Sequence, residues 1–558
     1  MRPRNTSPLG VASRVVLLWV AYALRVLGLQ AQGLWRDEVD QWRFAFLPLR
    51  DLLLNFTRPG WNGPLYSPLL RGWIVLTGES VYAMRMLSVV WGMLALAVTV
   101  VLARRLLGRQ AAAITAVLLT FSPYLIWYAQ EIKMYTWVPL LTALALYALL
   151  RACERPRAVR WVAVWGATTL AIYSHILAAL LIPVLALWFL LYPRRQRRAW
   201  AGGLAVLAGL TLPYLPLLRW QSALALMPRE TGFPHRTLGQ MIATLLESWS
   251  AGVYQGPWHV AGALVAFKLC FGILAVVGIA GTIARAFSRA EPWTRAARTL
   301  RREAETALPD RAVDSAYLMR LSGQLTVSAQ RRVVAHLARL TMVLVWLGVP
   351  LALVWGVSLR GPIFTDRYLI WTAPAFYLLV AEGVAVLQRG ASVLGSQLSV
   401  VRSWTGRLAY AALVPLLVIS THAVYAQATY PFKPQFEPAT AAIAAGREEG
   451  DLLLFQIPYN HHVVGYYAGY PSLDPWAEAP YTNWPGENGG YLIGAAEVAR
   501  SMRGLVAGYD RVWLVYSEVS AWDDRELVKA WLDSEYVLLR TEDFHGVSLY
   551  LYTRPQRS

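Results

Sequence analysis

Residues 81–103 have the sequence VYAMRMLSVVWGMLALAVTVVLA, an apolar run interrupted by one charged residue, Arg85. About 20 such residues are enough for an α-helix to cross the hydrocarbon core of a bilayer. Two further arginines, Arg104 and Arg105, follow the run directly. The stretch therefore predicts a transmembrane helix whose C-terminal end faces the cytoplasm.

Apolar segments of this kind recur along the chain of 558 residues, which is 56% hydrophobic and only 15% charged. Soluble chains average roughly 45–50% apolar and about 25% charged residues, so the composition excludes disorder and a purely soluble enzyme. The segments predicted to cross the membrane are 14–31, 81–103, 110–128, 135–150, 161–176, 177–193, 200–218, 260–284, 340–359, 368–388 and 408–426.

The net charge of +19 would suggest a nucleic-acid partner in a soluble protein. With the N-terminus inside, however, the inner segments hold 28 Lys and Arg residues and the outer segments hold 11. Positive charge of this sidedness is typical of cytoplasmic loops. The charge therefore predicts a multi-pass protein of the plasma membrane with a cytoplasmic N-terminus, in contact with membrane lipids and not with nucleic acid.

The predicted fold class is an α-helical polytopic membrane protein, with about eleven transmembrane helices and a C-terminal extracytoplasmic α/β domain. The membrane domain covers 1–426, with an outer loop at 32–80 and a long, basic, partly helical cytoplasmic loop at 285–339. The outer domain covers 427–558 and holds ten basic and seventeen acidic residues. Its predicted strands are Leu452–Ile457, Val512–Tyr516 and Val547–Leu551, and its predicted helices are 494–507 and 522–534.

Two adjacent acids, Asp37 and Glu38, follow Trp35 just after the first apolar segment, on the predicted outer side. One interpretation is an interfacial tryptophan followed by a solvated turn. The other is a carboxylate held at the membrane surface, where it can accept a proton.

A second cluster lies between the third and fourth segments and contains Gln130, Glu131, Lys133 and Tyr135. The charged pair could be exposed and weak. Alternatively, the lysine meets a phosphate as a point charge. Arg367, beside Tyr368 at the outer start of the tenth segment, could extend to the interface or bind a phosphate through its fork.

A third set of residues consists of turn-forming and aromatic positions on the same side. Asn62, Pro64 and Tyr66 form a loop that enters an amphipathic stretch, and His175 ends the fifth segment. The chain has two cysteines, and its outer histidines lack nearby acidic or cysteine partners. No metal site is therefore predicted.

The order of these motifs resembles glycosyltransferase family 39, the dolichyl-phosphate-mannose protein mannosyltransferase-like group of the GT-C class, in its bacterial and archaeal form. The resemblance covers residues 14–388 and rests on these motifs in order: Trp-x-Asp-Glu at 35–38, x-x-Pro-Leu-Tyr at 62–66, Arg-Met-Leu-Ser at 85–88, Gln-Glu-x-Lys-Met-Tyr at 130–135 and Arg-Tyr-Leu at 367–369. This chain departs from many relatives at Asn62, where they have His, and at Lys133, where they have Arg.

The resemblance implies transfer of a sugar from a polyprenyl-phosphate carrier to a lipid, glycan or protein acceptor at the outer face. Asp37 would be the catalytic carboxylate with Glu38 beside it, and the 130–135 motif and Arg367 would lie at the phosphate. Displacement from the face of the sugar opposite the phosphate would invert the anomeric centre.

No cofactor is required by the sequence, although a divalent metal could bridge carboxylate and phosphate. Three alternatives remain: a polytopic transporter with an outer domain, a structural or sensory membrane protein, and a lipid-phosphate transferase that moves a group other than a sugar.

Overall fold

The structure is a computed structural model. It describes residues 8–58, 60–192, 198–211, 214–221, 234–253, 261–306, 312–397, 413–469, 473–484 and 490–555. The helices up to residue 429 are α1 (Pro8–Val26), α2 (Arg36–Phe46), α3 (Leu49–Phe56), α4 (Tyr66–Thr77), α5 (Val81–Leu106), α6 (Arg109–Phe121), α7 (Pro123–Ala129), α8 (Trp137–Glu154), α9 (Ala158–Ile172), α10 (Leu181–Leu191), α11 (Ala199–Thr211), α12 (Leu215–Gln221), α13 (Leu238–Ala251), α14 (Ala261–Glu305), α15 (Ala312–Ser358), α16 (Ala373–Gln397) and α17 (Leu413–Thr429), with 3-10 turns at Ile176–Leu180 and Asp366–Thr372.

Each of the eleven predicted segments overlaps a helix, and the chain is mostly helical as expected. Within the described residues, five helical segments are long and apolar enough to cross a membrane: Val81–Leu106, Trp137–Glu154, Leu264–Glu305, Ala316–Ser358 and Asp366–Gly390. A sixth is added if α6 and α7, which meet at 57°, form one broken span. The count of about eleven spans stays a prediction.

The bend between α6 and α7 has a local cause. Ser122 separates the two helices, and its side chain accepts a hydrogen bond from the amide of Leu125. Pro123 follows as the first residue of α7, where its missing N–H costs nothing because that amide has no helical partner. The short helix α7 ends at Ala129, and residues 130–136 form a loop that contacts Ser88 of α5.

The helices α14 and α15 continue far beyond their apolar halves and pack against each other as an antiparallel hairpin. The basic loop predicted at 285–339 is thus largely the extension of two membrane helices, except for 307–311, which lie outside the described residues. The Ser322 hydroxyl donates to the Ala297 carbonyl at 2.8 Å, and both residues are buried, so the hairpin has a packed interior.

The C-terminal part contains α18 (Phe436–Gly446), β1 (Leu452–Phe455), α19 (Asn460–Ala468), β2 (Trp476–Glu478), α20 (Ala495–Leu505), β3 (Arg511–Ser517), α21 (Val519–Trp522), α22 (Leu527–Glu535), β4 (Val537–Phe544) and β5 (Val547–Thr553). The strand order is β2-β1-β3-β5-β4. The β1 strand pairs in parallel with β2 and β3, while β5 is antiparallel to β3 and β4.

The three strands and two helices predicted for this part are confirmed within a few residues. Side chains of β3 alternate between faces, so that Val512 and Leu514 pack under α20 and α22, while Trp513 and Val515 join the main core. Strands β2 and β4 were not predicted. The first has only three residues, and the second is a largely exposed edge strand. The domain boundary at 426/427 stays a prediction; α17 runs across it.

Candidate active site

The acidic pair Asp37 and Glu38 occupies the first turn of α2, after Trp35 as its extended cap residue. Carboxylates are stabilised there by the helix dipole. Successive residues of a helix point about 100° apart, so the pair cannot share one environment. Glu38 is fully buried, whereas the side chain of Asp37 is 19% exposed.

Asp37 forms an ion pair with Arg367, whose Nη1 donates to Asp37 Oδ2 at 3.0 Å. Burial by itself would raise the pKa of Asp37, but the positive charges of Lys133, Arg367 and Arg36 outweigh it and lower the pKa. The carboxylate is therefore ionised at neutral pH and lies among cations. The Nε of Arg367 is buried and has no acceptor among the described residues.

Glu38 is held by a ring of donors. The Nε and Nη2 atoms of Arg85 donate to its two oxygens at 2.9 and 2.7 Å, Lys433 Nζ donates at 2.7 Å, and the Ile132 amide donates at 3.1 Å. Burial alone would raise the pKa of Glu38, but the charges of Arg85 and Lys433 outweigh it and lower the pKa. The remaining N–H groups of Arg85 donate to the carbonyls of Leu29, Gln32 and Gly33. The Glu38–Arg85 pair thus connects the start of α2 to α5 and to residues 29–33, which precede α2.

Glu131 is buried on the far side of Lys433, with 3.6 Å between its Oε1 and the ammonium nitrogen. Its Oε2 has no hydrogen-bond partner among the described residues. Burial raises the pKa of Glu131, and burial also lowers the pKa of Lys433. The ammonium lies 5.2 Å from the ring centre of Trp127 and 5.9 Å from that of Trp35, a cation–π arrangement.

Sequence reasoning missed Lys433, which lies in the connection between α17 and α18. A compositional signal was nevertheless present. The 52 Lys and Arg residues include only four lysines, and two of them, Lys133 and Lys433, lie at this site. In a chain that almost always uses arginine, a lysine between apolar residues and prolines marks a position that suits a compact ammonium.

The 130–135 motif divides into different roles. The side-chain amide of Gln130 donates to the carbonyls of Arg25 and Leu27, and Tyr135 is buried with its ring 5.0 Å from that of Tyr128. Lys133 is partly exposed and makes no ion pair within 4.0 Å in the part of the chain that the structure describes. Among the cations, its charge contributes most to lowering the pKa of Asp37, so it lies near that carboxylate.

His175 and Tyr368 lie together beside Arg367, with 5.3 Å between their ring centres. The amide of Leu177 donates to His175 Nδ1 at 3.2 Å, which leaves the proton of the neutral ring on Nε2. That Nε2 is buried and unpartnered among the described residues. Burial and the charge of Arg367 lower the pKa of His175 to about 4. The ring is therefore a neutral hydrogen-bond donor at neutral pH.

The 62–66 loop packs against the turn that carries His175. The amide of Leu65 donates to the Tyr173 carbonyl at 3.0 Å, and a Cβ on Gly63 would lie only 1.9 Å from that oxygen. Tyr66 is buried, with its hydroxyl 3.4 Å from that of Ser88, while Pro64 is buried and Asn62 is exposed. Ser88 in turn donates to the Glu131 carbonyl at 2.6 Å. Contacts therefore link the predicted clusters around Asp37.

In the described ranges, no group of three or more His, Cys, Asp or Glu side chains is arranged to hold a metal ion. Asp37 pairs with the side chain of Arg367, and the charge of Lys133 also acts on it. Such an arrangement can hold an anionic group close to a carboxylate without further components.

Residues 59–220, which include α4 to α11, match the family model described as dolichyl-phosphate-mannose-protein mannosyltransferase. The family resemblance indicated by the motifs is confirmed. No curated protein sequence matches the chain.

Solved structures match the chain over nearly its whole length at low identity. The oligosaccharyltransferase AglB from Archaeoglobus fulgidus, in complex with an inhibitory peptide and a dolichol-phosphate, is 13% identical with a TM-score of 0.50. The match covers 99% of this chain and 75% of the AglB chain. The apo form of the A. fulgidus oligosaccharyltransferase is 12% identical with a TM-score of 0.55, and the match covers 98% of this chain and 74% of the oligosaccharyltransferase chain. Apo ArnT from Cupriavidus metallidurans is 14% identical with a TM-score of 0.53, and the match covers 97% of this chain and 98% of the ArnT chain. The fold is that of the GT-C membrane glycosyltransferases.

Proposed function

We propose that this protein is a membrane glycosyltransferase that moves a sugar from a polyprenyl-phosphate donor to an acceptor at the extracytoplasmic face. The observation that carries the proposal is the Asp37–Arg367 ion pair of 3.0 Å, with the charge of Lys133 near the same carboxylate. A carboxylate close to two cations suits a proton acceptor beside a phosphate.

The roles of these groups follow from the charge that develops during transfer. As the anomeric bond breaks, the phosphate leaving group gains negative charge, and Arg367 and Lys133 stabilise it. The acceptor hydroxyl must lose its proton as it attacks, and Asp37 takes that proton. Attack from the face opposite the phosphate inverts the configuration of the anomeric carbon.

Donor binding also tunes the base. In the free protein, Lys133 and Arg367 hold the pKa of Asp37 below its usual range, which makes the carboxylate a weak base. A bound phosphate neutralises part of that positive charge, and the pKa of Asp37 rises toward the range in which it can accept a proton. Asp37 thus becomes a competent base only when the donor is present.

Glu38 is proposed as a positioning residue and not as a second base, since it has no exposed surface and its oxygens are occupied by Arg85, Lys433 and the Ile132 amide. Gln130 and Glu131 are likewise turned toward internal partners, the carbonyls of Arg25 and Leu27 and the ammonium of Lys433. Their support of the donor site is therefore indirect.

His175 and Tyr368 are proposed to contact the donor head group beside Arg367. The unpartnered Nε2–H of His175 and the unpartnered Nε–H of Arg367 are two buried donors without acceptors. Buried polar groups are normally hydrogen-bonded, so such donors fit sugar or phosphate oxygens. Activity that is lost on chelation and restored by an added divalent metal would identify a metal as part of the site.

The proposal is tested with the full-length protein in nanodiscs, a panel of undecaprenyl-phosphate hexoses and pentoses, and acceptors of the three classes, lipid, glycan and protein. The readout is the release of undecaprenyl phosphate that depends on an added acceptor. We expect release by the wild type and a loss of at least a hundredfold in Asp37→Asn. Asp51→Asn, a carboxylate of the same outer loop in the first turn of α3, is the matched control. Release at the wild-type rate by Asp37→Asn would refute the base assignment.

A further inference from the structure

A cavity of 710 Å³ lies at the end of the helix bundle opposite the candidate active site. The helix α5 runs from Arg85, in the site, to Arg105, which lines this cavity, and α8 likewise runs away from the site to Glu154. The remaining wall is formed mainly by one face of α15. The two ends of the protein are therefore chemically distinct, and the cavity is no part of the transferase site.

The wall from α15 consists of positions that recur every three or four residues, which is the spacing of one helix face. Those positions are Ser328, Arg331, Arg332, Ala335, His336 and Arg339. Together with Arg105, they bring four guanidinium groups and one imidazole to the cavity. Glu154 is the acidic residue among the lining side chains.

The charge of Glu154 is already balanced. Arg105 donates to both of its oxygens at 2.8 and 3.1 Å, and Arg151 donates to it at 2.9 Å from outside the cavity. Among the described residues, Arg331 and Arg339 have no carboxylate within 4.0 Å. The guanidinium of Arg332 lies 4.6 Å from the ring centre of Trp293, which orients it by a cation–π contact. The cavity therefore carries an excess of positive charge.

The position of the cavity relative to the membrane surface matters as much as its charge. Arg105 lies at the last turn of an apolar helix long enough to cross the bilayer, so the cavity opens where lipid phosphates lie. Sidedness of positive charge explains arginines at this end, but it does not require several of them to face one concave space. Guanidinium groups bind phosphate oxygens in pairs, and like charges at close range are relieved by an anion between them.

We propose that this cavity binds a phosphate monoester, supplied by the head group of a membrane lipid at the face opposite the transferase site. A monoester carries up to two negative charges, which matches Arg331 and Arg339, two lining arginines without a carboxylate partner among the described residues. A dissolved phosphate has the same chemistry, so the source must be separated by experiment. The proposal does not depend on the transferase activity.

The test uses the full-length protein in detergent with the probes phosphatidic acid, phosphatidylcholine and inorganic phosphate, and it counts retained lipids by native mass spectrometry. The double variant Arg331→Gln/Arg339→Gln removes the two unpaired cavity charges. The control Arg298→Gln/Arg320→Gln removes two charges from exposed arginines of the same hairpin that do not line the cavity. Thermal midpoints of all three proteins confirm folding.

We expect the wild type to retain phosphatidic acid over phosphatidylcholine, with at least a tenfold loss of affinity in the cavity variant and none in the control. Competition by millimolar inorganic phosphate, lost in the same variant, would support the phosphate site with a soluble source. Equal retention of phosphatidic acid by the cavity variant, or an equal loss in the control variant, would overturn the proposal.

Discussion

Lys433 places its ammonium nitrogen 2.7 Å from Glu38 Oε2, although 395 residues separate the two in the chain. The lysine belongs to the segment that leads into the C-terminal sheet region, and Glu38 is the neighbour of the proposed base. Other contacts reinforce this connection: Tyr467 accepts a hydrogen bond from the Leu34 amide at 2.6 Å, and Arg36 pairs with Glu518 at 3.3 Å. The C-terminal sheet region is therefore part of the support of the acidic segment 34–38.

Lys433→Met is expected to destabilise the protein strongly. The change removes the buried ion pairs of Lys433 with Glu38 and with Glu131, at 2.7 and 3.6 Å. Glu38 then keeps Arg85 as its one ion-pair partner among the described residues, and Glu131 loses the cation beside it. Removal of one partner of a buried ion pair costs about 3–5 kcal/mol. The measurement is thermal unfolding in detergent, and Lys529→Met, which removes the exposed pair with Asp533, is the control with an expected cost of about 0–1 kcal/mol. A midpoint equal to that of the control would contradict the role of Lys433.

Arg367→Lys is expected to weaken binding of undecaprenyl phosphate while the protein stays folded. Lysine keeps the charge, but it lacks the planar fork that holds two phosphate oxygens and also contacts Asp37. The expected loss is about tenfold, roughly 1.4 kcal/mol. Quenching of tryptophan fluorescence by undecaprenyl phosphate measures the affinity, since Trp35 lies 6.0 Å from the guanidinium. Arg360→Lys, an exposed position shortly before it, is the control; an equal effect in both variants would exclude a specific phosphate contact.

The protein is expected to lose stability in acid because the pKa of His175 is lowered in the folded state. Its pKa is lowered from 6.5 to about 4 in the folded protein by burial and by Arg367. The unfolded chain therefore takes up the proton first, so that stability is complete above pH 6.5 and falls as the pH drops from 6.5 toward 4. A shift of this size corresponds to about 3 kcal/mol.

The measurement for His175 is the thermal midpoint between pH 7 and pH 4 for the wild type, His175→Gln and the exposed control His235→Gln. We expect a smaller decrease in His175→Gln, because glutamine keeps a donor and does not titrate. Parallel curves for all three proteins would show that His175 does not titrate in this window.

Gly63→Ala is expected to displace the loop 62–66 from the turn that carries His175. The added Cβ would meet the Tyr173 carbonyl oxygen at 1.9 Å, so the backbone must move. We expect weaker undecaprenyl phosphate binding and a lower thermal midpoint. Gly72→Ala, in α4, meets no atom within 4 Å and should be neutral or slightly stabilising, since glycine is unfavourable inside a helix. Similar behaviour of both variants would argue against a close approach at Gly63.

Much of the architecture was predictable because it depends on local patterns. Apolar runs of membrane length, the placement of arginines and the alternation of β-strand residues are all visible within about twenty residues of sequence. The eleven predicted segments accordingly overlap helices, and three strands were located correctly. The exceptions, β2 and β4, are a three-residue strand and an exposed edge strand, which have no distinctive local pattern.

The candidate site was predictable only in part. Sequence alone identified the charged groups at the ends of the predicted spans, among them Asp37, Lys133 and Arg367, because charge at the edge of an apolar run is conspicuous. The charge pattern by itself did not tell Asp37 from Glu38, and only the family resemblance singled out Asp37, since adjacent carboxylates differ chiefly in what packs around each.

Tertiary structure decided which of these groups meet. It buried Glu38 between Arg85 and Lys433 and left Asp37 partly open beside Arg367. The contacts with Lys433 and Arg367 join residues more than 300 positions apart. Such pairs depend on the packing of whole helices and of the C-terminal sheet region, and no local pattern encodes them. The sequence by itself determined the membrane fold and its chemical groups, while long-range packing determined which carboxylate is enclosed by cations and which one stays partly exposed.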